Sequence, residues 1–436
     1  MIIKQSKRLN DVQEYYFSQK LAQIRKMEAG GKRIINLGIG SPDMSPSENT
    51  VNALIQSAQN PKSHGYQSYK GIPELRKAIA NFYNDIYNVP LDSETEILPL
   101  LGSKEGITHI SLAFLDAGDK VLVPDPGYPT YSSVSKMAGA KIIFYNLTEK
   151  NGWAPDLKEL EKKNLKGVKL MWLNYPNMPT GAEATDECFE SLIAFAKKHK
   201  ILLCHDNPYS MVLNNGKPKS ILSYAGAKDV AIELNSLSKS FNMAGWRVGW
   251  IAGKKEYMDT ILKVKSNVDS GMFLPIQKAA VEALSNPASW HTNRNEEYKK
   301  RREKVWELLE LLKCDYSIKQ VGMFVWAKIH TPLSSRRGAG PARTNRFGTG
   351  GGEANSEAFV ENILQKANVF ITPGSIFGKN GEGYVRVSLC SDVNTIEEAI
   401  KRIKQSNIGC HPEPVEGAVQ KKEMLRQAQH DKIKTA

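Results

Sequence analysis

The sequence predicts an α/β protein: a mostly parallel central sheet with helices on both faces, plus a smaller α/β domain. Three observations lead there. Short apolar runs alternate with helical ones through the middle of the chain, the pattern of βα units whose strands are buried on both faces. At 436 residues the chain can hold two cores. After residue 255 the pattern changes to long helices and a few short strands.

In order, residues 10–29 have helical spacing and end at Gly30-Gly31, a C-cap signal. Residues 34–39 form a short apolar strand running into the turn Gly38-Ile39-Gly40-Ser41-Pro42-Asp43. Residues 49–58 read as helix, 64–71 as a loop carrying Tyr66 and Tyr69, and 73–87 as a helix opened by Pro73. Strands follow at 97–101, 120–123, 141–145, 168–173, 201–204, 231–234 and 248–252. Helices lie between them, up to 115 and at 128–138, 156–163 and 185–198. Residues 255–312 are helical with breaks near Gly271 and Pro287. Strands at 324–329 and 384–389 and helices at 355–367 and 395–405 complete the smaller layer. The expected division is an N-terminal segment, 1–45, packing with the small domain; a large domain, 46–285; a small domain, 286–405; and a flexible tail, 406–436. Residues 331–354, rich in Gly, Arg and Ser, read as a disordered insert.

Hydrophobic and charged contents of 41% and 24% are ordinary for a globular protein, and no apolar run is long enough to span a membrane. The N-terminus lacks the pattern of a signal peptide. Five scattered cysteines without a C-x-x-C pair read as reduced thiols of a cytoplasmic protein, with no metal implied. The net charge of +13 is concentrated: 331–352 carries +4 and 401–436 another +4. With no helix-turn-helix, zinc finger or aromatic-basic signature, nucleic acid is not an expected partner.

Apart from Arg386, the chemically suggestive motifs fall just beyond strands, where ligands gather in such sheets. The stretch 235–249 sets Lys239 three residues after Ser236 and eight before Arg247. Hydroxyls, one lysine and a fixed arginine suit a site for a reactive amine and a phosphate, because a desolvated lysine near another cation becomes a carbonyl nucleophile. Gly102-Ser103-Lys104-Glu105-Gly106, between strand and helix, offers backbone N–H groups to an anion. A carboxylate at the buried strand end in His205-Asp206-Asn207-Pro208-Tyr209 needs a cationic partner. Asp125-Pro-Gly-Tyr128 and Asn174-Tyr-Pro-Asn177-Met178-Pro-Thr-Gly follow two other strands. Arg386, alone in the strand Gly-Tyr-Val-Arg-Val-Ser-Leu, suits bidentate capture of a carboxylate.

Together, from about residue 5 to 405, these motifs resemble the fold-type I pyridoxal-phosphate (PLP) enzymes, the class I/II aminotransferases. Gly-Ser-Lys-Glu-Gly, Asn-Met-Ala-Gly-Trp-Arg and the 265–273 segment are most similar to the LL-diaminopimelate aminotransferase branch and its alanine and aspartate aminotransferase relatives. The resemblance implies a homodimer with the active site at its interface, and Lys239 as the Schiff-base residue. It implies cofactor contacts from Ser103, Lys104, Ser236 and Arg247 to the phosphate, joined by Tyr66 from the opposite subunit. Tyr128 would stack on the ring, Asp206 would meet the ring nitrogen and Tyr209 the ring oxygen. Arg386, Gly40 and Tyr15 would bind the substrate. One departure stands out: Met178 occupies the place of an asparagine that donates to the ring oxygen, and methionine cannot donate. Either Asn174 or Asn177 moves in, or Tyr209 serves that oxygen alone. The implied activity is transfer of an amino group from an amino acid, with LL-diaminopimelate, alanine or aspartate as candidate donors, to a 2-oxo acid such as 2-oxoglutarate. A PLP-dependent carbon–sulfur β-lyase is the alternative, since the same machinery serves elimination.

Overall fold

The structure, a computed structural model, describes residues 3–330, 355–406 and 408. The expectations for the insert at 331–354 and for most of the tail concern residues outside that set.

The chain opens with the helix Tyr16–Ala29 (α1), the short strand Ile35–Asn36 (β1) and the helices Glu48–Ala58 (α2) and Pro73–Tyr87 (α3). Then come Ile97–Leu100 (β2), Ser103–Phe114 (α4), Lys120–Asp125 (β3), Pro129–Met137 (α5), Lys141–Asn146 (β4) and Leu157–Glu161 (α6). They are followed by Val168–Asn174 (β5), Asp186–His199 (α7), Leu202–Asp206 (β6), Ala231–Ser236 (β7), the single turn Leu237–Ser240 (α8) and Gly249–Gly253 (β8). These strands form one seven-stranded sheet in the order β2-β8-β7-β6-β5-β3-β4. Only β8 runs antiparallel to its neighbours. The sequence reads as strand here because the sheet is covered on both faces: every residue of β6, β7 and β8 is buried. Trp172 and Trp250 are fully buried beside them, each contributing roughly 1.5–3 kcal/mol in the way of a large apolar side chain removed from water.

Beyond the sheet lie Lys255–Lys265 (α9), Leu274–Leu284 (α10) and the long Ala288–Leu311 (α11). The breaks fall at the expected Gly271 and Pro287. Gly271 has φ +84°, and Pro287 caps the N-terminus of α11. The smaller layer comprises Cys314–Tyr316 (β9), Phe324–Ile329 (β10), Ser356–Ala367 (α12), Val369–Phe370 (β11), Thr372–Pro373 (β12), Tyr384–Ser388 (β13) and Val393–Gln405 (α13). Its antiparallel sheet has the order β12-β13-β10-β9, and the β10–β13 register sets Trp326 opposite Arg386. The N-terminal segment joins this layer: β1 pairs with β11, and Phe17 and Ile24 of α1 share a core with Trp306, Val325 and Ile400.

Two expectations are corrected. The first helix begins at Tyr16 rather than residue 10, because Tyr15 is extended (φ −58°, ψ 124°) and no side chain caps the helix start. The strand expected over 34–39 stops at Asn36, whose Oδ1 accepts the N–H groups of Gly38 and Ile39 at 3.0 and 3.2 Å and folds the chain into a turn. Strands β9, β11 and β12 were not expected, being too short to show a period.

Candidate active site

The parallel register aligns the ends of neighbouring strands: Asn174 of β5 lies opposite Asp206 of β6, and Asp206 opposite Leu234 of β7. The turn after β7 carries Lys239, and the antiparallel pairing of β2 with β8 brings the start of α4 beside them. Together with Gly40, Tyr15 and Arg386 from the smaller layer, they enclose a cavity of about 480 Å³.

Lys239 Nζ donates to the Gly40 carbonyl. Burial holds the amine below the usual lysine range, and Arg386 and Arg247 push in the same direction. This favours the neutral, nucleophilic amine.

Asp206 is buried at the cavity floor. Its Oδ2 accepts the Tyr131 hydroxyl at 2.9 Å, whereas Oδ1 has no partner among the described residues. Burial pushes this carboxyl up to about 6. Tyr131 is itself held by a parallel stack on Trp172, with centroids 5.0 Å apart.

At the other end of the cavity, Gly102 precedes the first turn of α4, to which Ser103 and Lys104 belong and whose N–H groups have no helical partners. Gly102 has φ +92°, and a Cβ there would sit 2.1 Å from Arg247 Nη2. The loop and the guanidinium thus form a close cradle. Arg247, itself at φ +57°, donates from Nη1 to the Ala244 carbonyl at 2.8 Å and to Ser238 Oγ at 3.3 Å. Ser236 Oγ caps Ser238 N–H at 3.1 Å and lies 2.9 Å from Ser238 Oγ and from the Val248 carbonyl. An anion-binding end is the chemical sense of this set.

Arg386 is buried and has no carboxylate partner among the described residues. Nη2 donates to the Gly38 carbonyl at 2.8 Å, Nη1 lies 3.1 Å from Met178 Sδ, and Nε is unpartnered. Three rings surround the guanidinium: Phe324 at 3.9 Å, Phe377 at 4.8 Å and Phe17 at 5.6 Å. Burial pulls its pKa down to about 10, so it remains a cation at neutral pH. Gly40 is required beside it, since a Cβ there would fall 2.2 Å from the Phe324 ring.

Against known proteins, the family model described as aminotransferase class I and II matches residues 32–403. The chain belongs to the class I and II aminotransferases. An LL-diaminopimelate aminotransferase from Halothermothrix orenii is 38% identical over 402 residues, covering 92% of this chain and 98% of the relative. Another from Moorella thermoacetica is 37% identical with the same coverage. The substrate-bound BacF structure from Bacillus subtilis is similar at 35% identity and TM-score 0.85, covering 94% of this chain and all of that one. The protein is therefore an aminotransferase, and its family implies pyridoxal phosphate as cofactor and amino and oxo acids as substrates. The lyase alternative finds no support in these relatives.

Of the residues singled out in the sequence, the aminotransferase cavity brings together Tyr15, Gly40, Ser103, Lys104, Tyr128, Asn174, Asp206, Tyr209, Ser236, Lys239, Arg247 and Arg386. Asn177 is not among its lining. Its Nδ2 donates to the Asn174 carbonyl and its Oδ1 accepts from Thr180, closing the turn after β5. Tyr66 is 93% exposed and lies away from the cavity. Sequence reading missed Tyr131, Ser238 and the phenylalanines around Arg386. Tyr131 was legible as the residue one helical turn after Tyr128, and Ser238 as a second hydroxyl beside Lys239.

No helix among the described residues is long and apolar enough to cross a membrane. Cys188, Cys204, Cys314 and Cys390 form no disulfide.

Proposed function

We propose that this aminotransferase uses pyridoxal phosphate held in the 480 Å³ cavity to move the amino group of a 2-amino acid to a 2-oxo acid, with 2-oxoglutarate as acceptor. The observation that carries it is one cavity lined by Lys239, by Asp206 with its unpartnered Oδ1, and by the acid-free Arg386. The residues fit the cofactor. A protonated pyridine nitrogen is the cation Asp206 Oδ1 lacks, the Gly102–Arg247 cradle suits its phosphate, and Lys239 is disposed to join its aldehyde.

When bound, the cofactor supplies an electron sink for negative charge developing at the substrate α-carbon. Asp206 keeps the ring nitrogen protonated, and Tyr131 fixes the carboxylate that does so. Arg386 takes the α-carboxylate, orienting the Cα–H bond. Lys239 Nζ then removes the Cα proton and serves as the acid that returns it. Tyr15 and Tyr128 line the cavity and supply aromatic wall for the bound groups. LL-diaminopimelate is the first donor to test, by the relatives' activity, with alanine and aspartate next. Because Tyr66 is exposed, we assign it to the cofactor phosphate of a second copy, in a homodimer acting in the cytoplasm.

The test is reconstitution followed by single-turnover absorbance with a panel of amino acids. The wild type should gain a visible band with the cofactor and lose it on adding a competent donor. Lys239→Ala should show neither change, and full turnover by that variant would overturn the proposal.

A further inference from the structure

Met178 stands where the resemblance expects an amide, and the geometry decides between the ways the chain can compensate. Asn174 is committed at both ends: Nδ2 donates to the Asp206 carbonyl at 2.7 Å and Oδ1 accepts Met178 N–H at 2.7 Å. Asn177 is likewise engaged, with Asn174 and Thr180. Both amides are buried, 3% and 4% exposed, and turning either into the cavity would break bonds that shape the loop after β5. Met178 itself is buried, lines the cavity and sets its sulfur on Arg386 Nη1 at 3.1 Å. A thioether accepts weakly and donates nothing.

The substituent order of pyridoxal phosphate then fixes which wall the ring oxygen meets. In the placement proposed above, the ring nitrogen would lie at Asp206 and the phosphate arm at Gly102, Ser238 and Arg247. The phenolic oxygen, which flanks the aldehyde carbon on the side away from that arm, would then be left to Met178 and Tyr209 of the cavity lining. We infer that Met178 leaves the Tyr209 hydroxyl as the sole side-chain donor to the ring oxygen, so that the proton shared between this oxygen and the Lys239 nitrogen is retained to higher pH than an amide at 178 would allow. This rests on the cofactor placement proposed above. The physical reason is that a donor stabilises the ring oxygen most when the shared proton has left and the oxygen carries its full negative charge. Removing a donor therefore favours the protonated state. The other charged or titratable groups around Lys239 are Arg386, Arg247 and Cys390, and those facing Tyr209 are Arg386, Asp206, Tyr128, Cys390, Tyr15 and Tyr131. Of these, Arg386 touches residue 178, through the Met178 sulfur, and Met178→Leu removes that contact without adding a donor.

The experiment is a pH titration of the visible absorbance of cofactor-loaded protein, with no substrate present. Met178→Asn should move the midpoint down by about one pH unit, the scale of one added hydrogen bond. Met178→Leu, equally unable to donate, should titrate with the wild type. Tyr209→Phe, which removes the remaining donor, should move the midpoint up by about one unit or more. An unshifted Met178→Asn midpoint, or a Met178→Leu midpoint shifted as far as that of Met178→Asn, overturns the inference. So does an unshifted Tyr209→Phe. Absence of a Lys239-dependent visible band in the wild type instead overturns the cofactor placement itself, which separates the two failures.

Discussion

Tyr131 donates its hydroxyl to Asp206 Oδ2 at 2.9 Å, and the other oxygen of this buried carboxylate has no partner among the described residues. The carboxyl carries the cost of burial, its pKa pushed up to about 6 from 3.8. Between those values the folded, cofactor-free protein binds more protons than the unfolded chain, so its stability falls as pH rises and levels off above 6. The cost at neutral pH is about 3 kcal/mol. Asp206→Asn removes the charge and keeps an acceptor for Tyr131. In cofactor-free protein, the variant's melting temperature should gain on the wild type as pH rises from about 4 to 7. Cofactor should stabilise the wild type far more than the variant, because only the wild type gains a cation for its carboxylate. Parallel melting profiles over that range would contradict this.

Gly102 and Arg247 make a second prediction. At φ +92°, with a prospective Cβ 2.1 Å from Arg247 Nη2, Gly102→Ala is strained in its backbone and displaces the guanidinium. Cofactor affinity measured by fluorescence titration should fall at least about tenfold, the loss of one charge-assisted contact. Gly31→Ala is the matched control. Its φ of +86° brings the same backbone strain, but nothing lies within 4 Å of the added carbon. It should lose stability and keep its affinity.

The pair Arg301–Asp43 joins α11 to the turn that carries Gly40, at 2.6 Å, with Arg301 only 4% exposed. Arg301 also reaches Glu297 at 3.1 Å and the Leu389 carbonyl at 3.2 Å. Asp43→Ala leaves a buried guanidinium with one acid fewer, at a cost of about 1.5–3 kcal/mol in urea unfolding, the scale of one hydrogen bond to a charged group. Because the Gly40 carbonyl receives Lys239 and Gly40 borders Arg386, the loosened turn should raise KM for the amino donor more than it lowers kcat. Equal losses in both would instead indicate damage to the reacting groups.

Much of this site was legible in the sequence because its residues sit at strand ends, where an apolar run stops and a Gly, Pro or Asp begins. Lys239, Asp206 and the Gly102 loop are of this kind. The phenylalanines around Arg386 were not, since an aromatic residue at helical or strand spacing looks like core until the fold turns it toward a cavity. Asn177 shows the opposite difficulty. An asparagine beside Pro and Gly has two uses, ligand or turn closure, and in the structure its amide is engaged with Asn174 and Thr180. The strand at 34–39 was overestimated because an apolar run does not reveal that Asn36 will claim two backbone N–H groups.

Tyr66, 93% exposed, follows two residues after His64, whose ring lies 5.9 Å from that of the exposed Phe273. The proposed homodimer gives this exposed tyrosine a place at the partner's phosphate. Tyr66→Phe should weaken cofactor binding by about 10- to 100-fold, the loss of one hydrogen bond to a charged group. Complementation then tells whether the residue acts across the interface. When Lys239→Ala and Tyr66→Phe chains are mixed, each mixed dimer holds one site with its own Lys239 and an intact Tyr66 from the other chain. Activity at limiting cofactor should therefore rise on mixing two preparations that are each impaired. If Tyr66 served its own chain, every site in the mixture would still lack one of the two residues, and mixing would restore nothing.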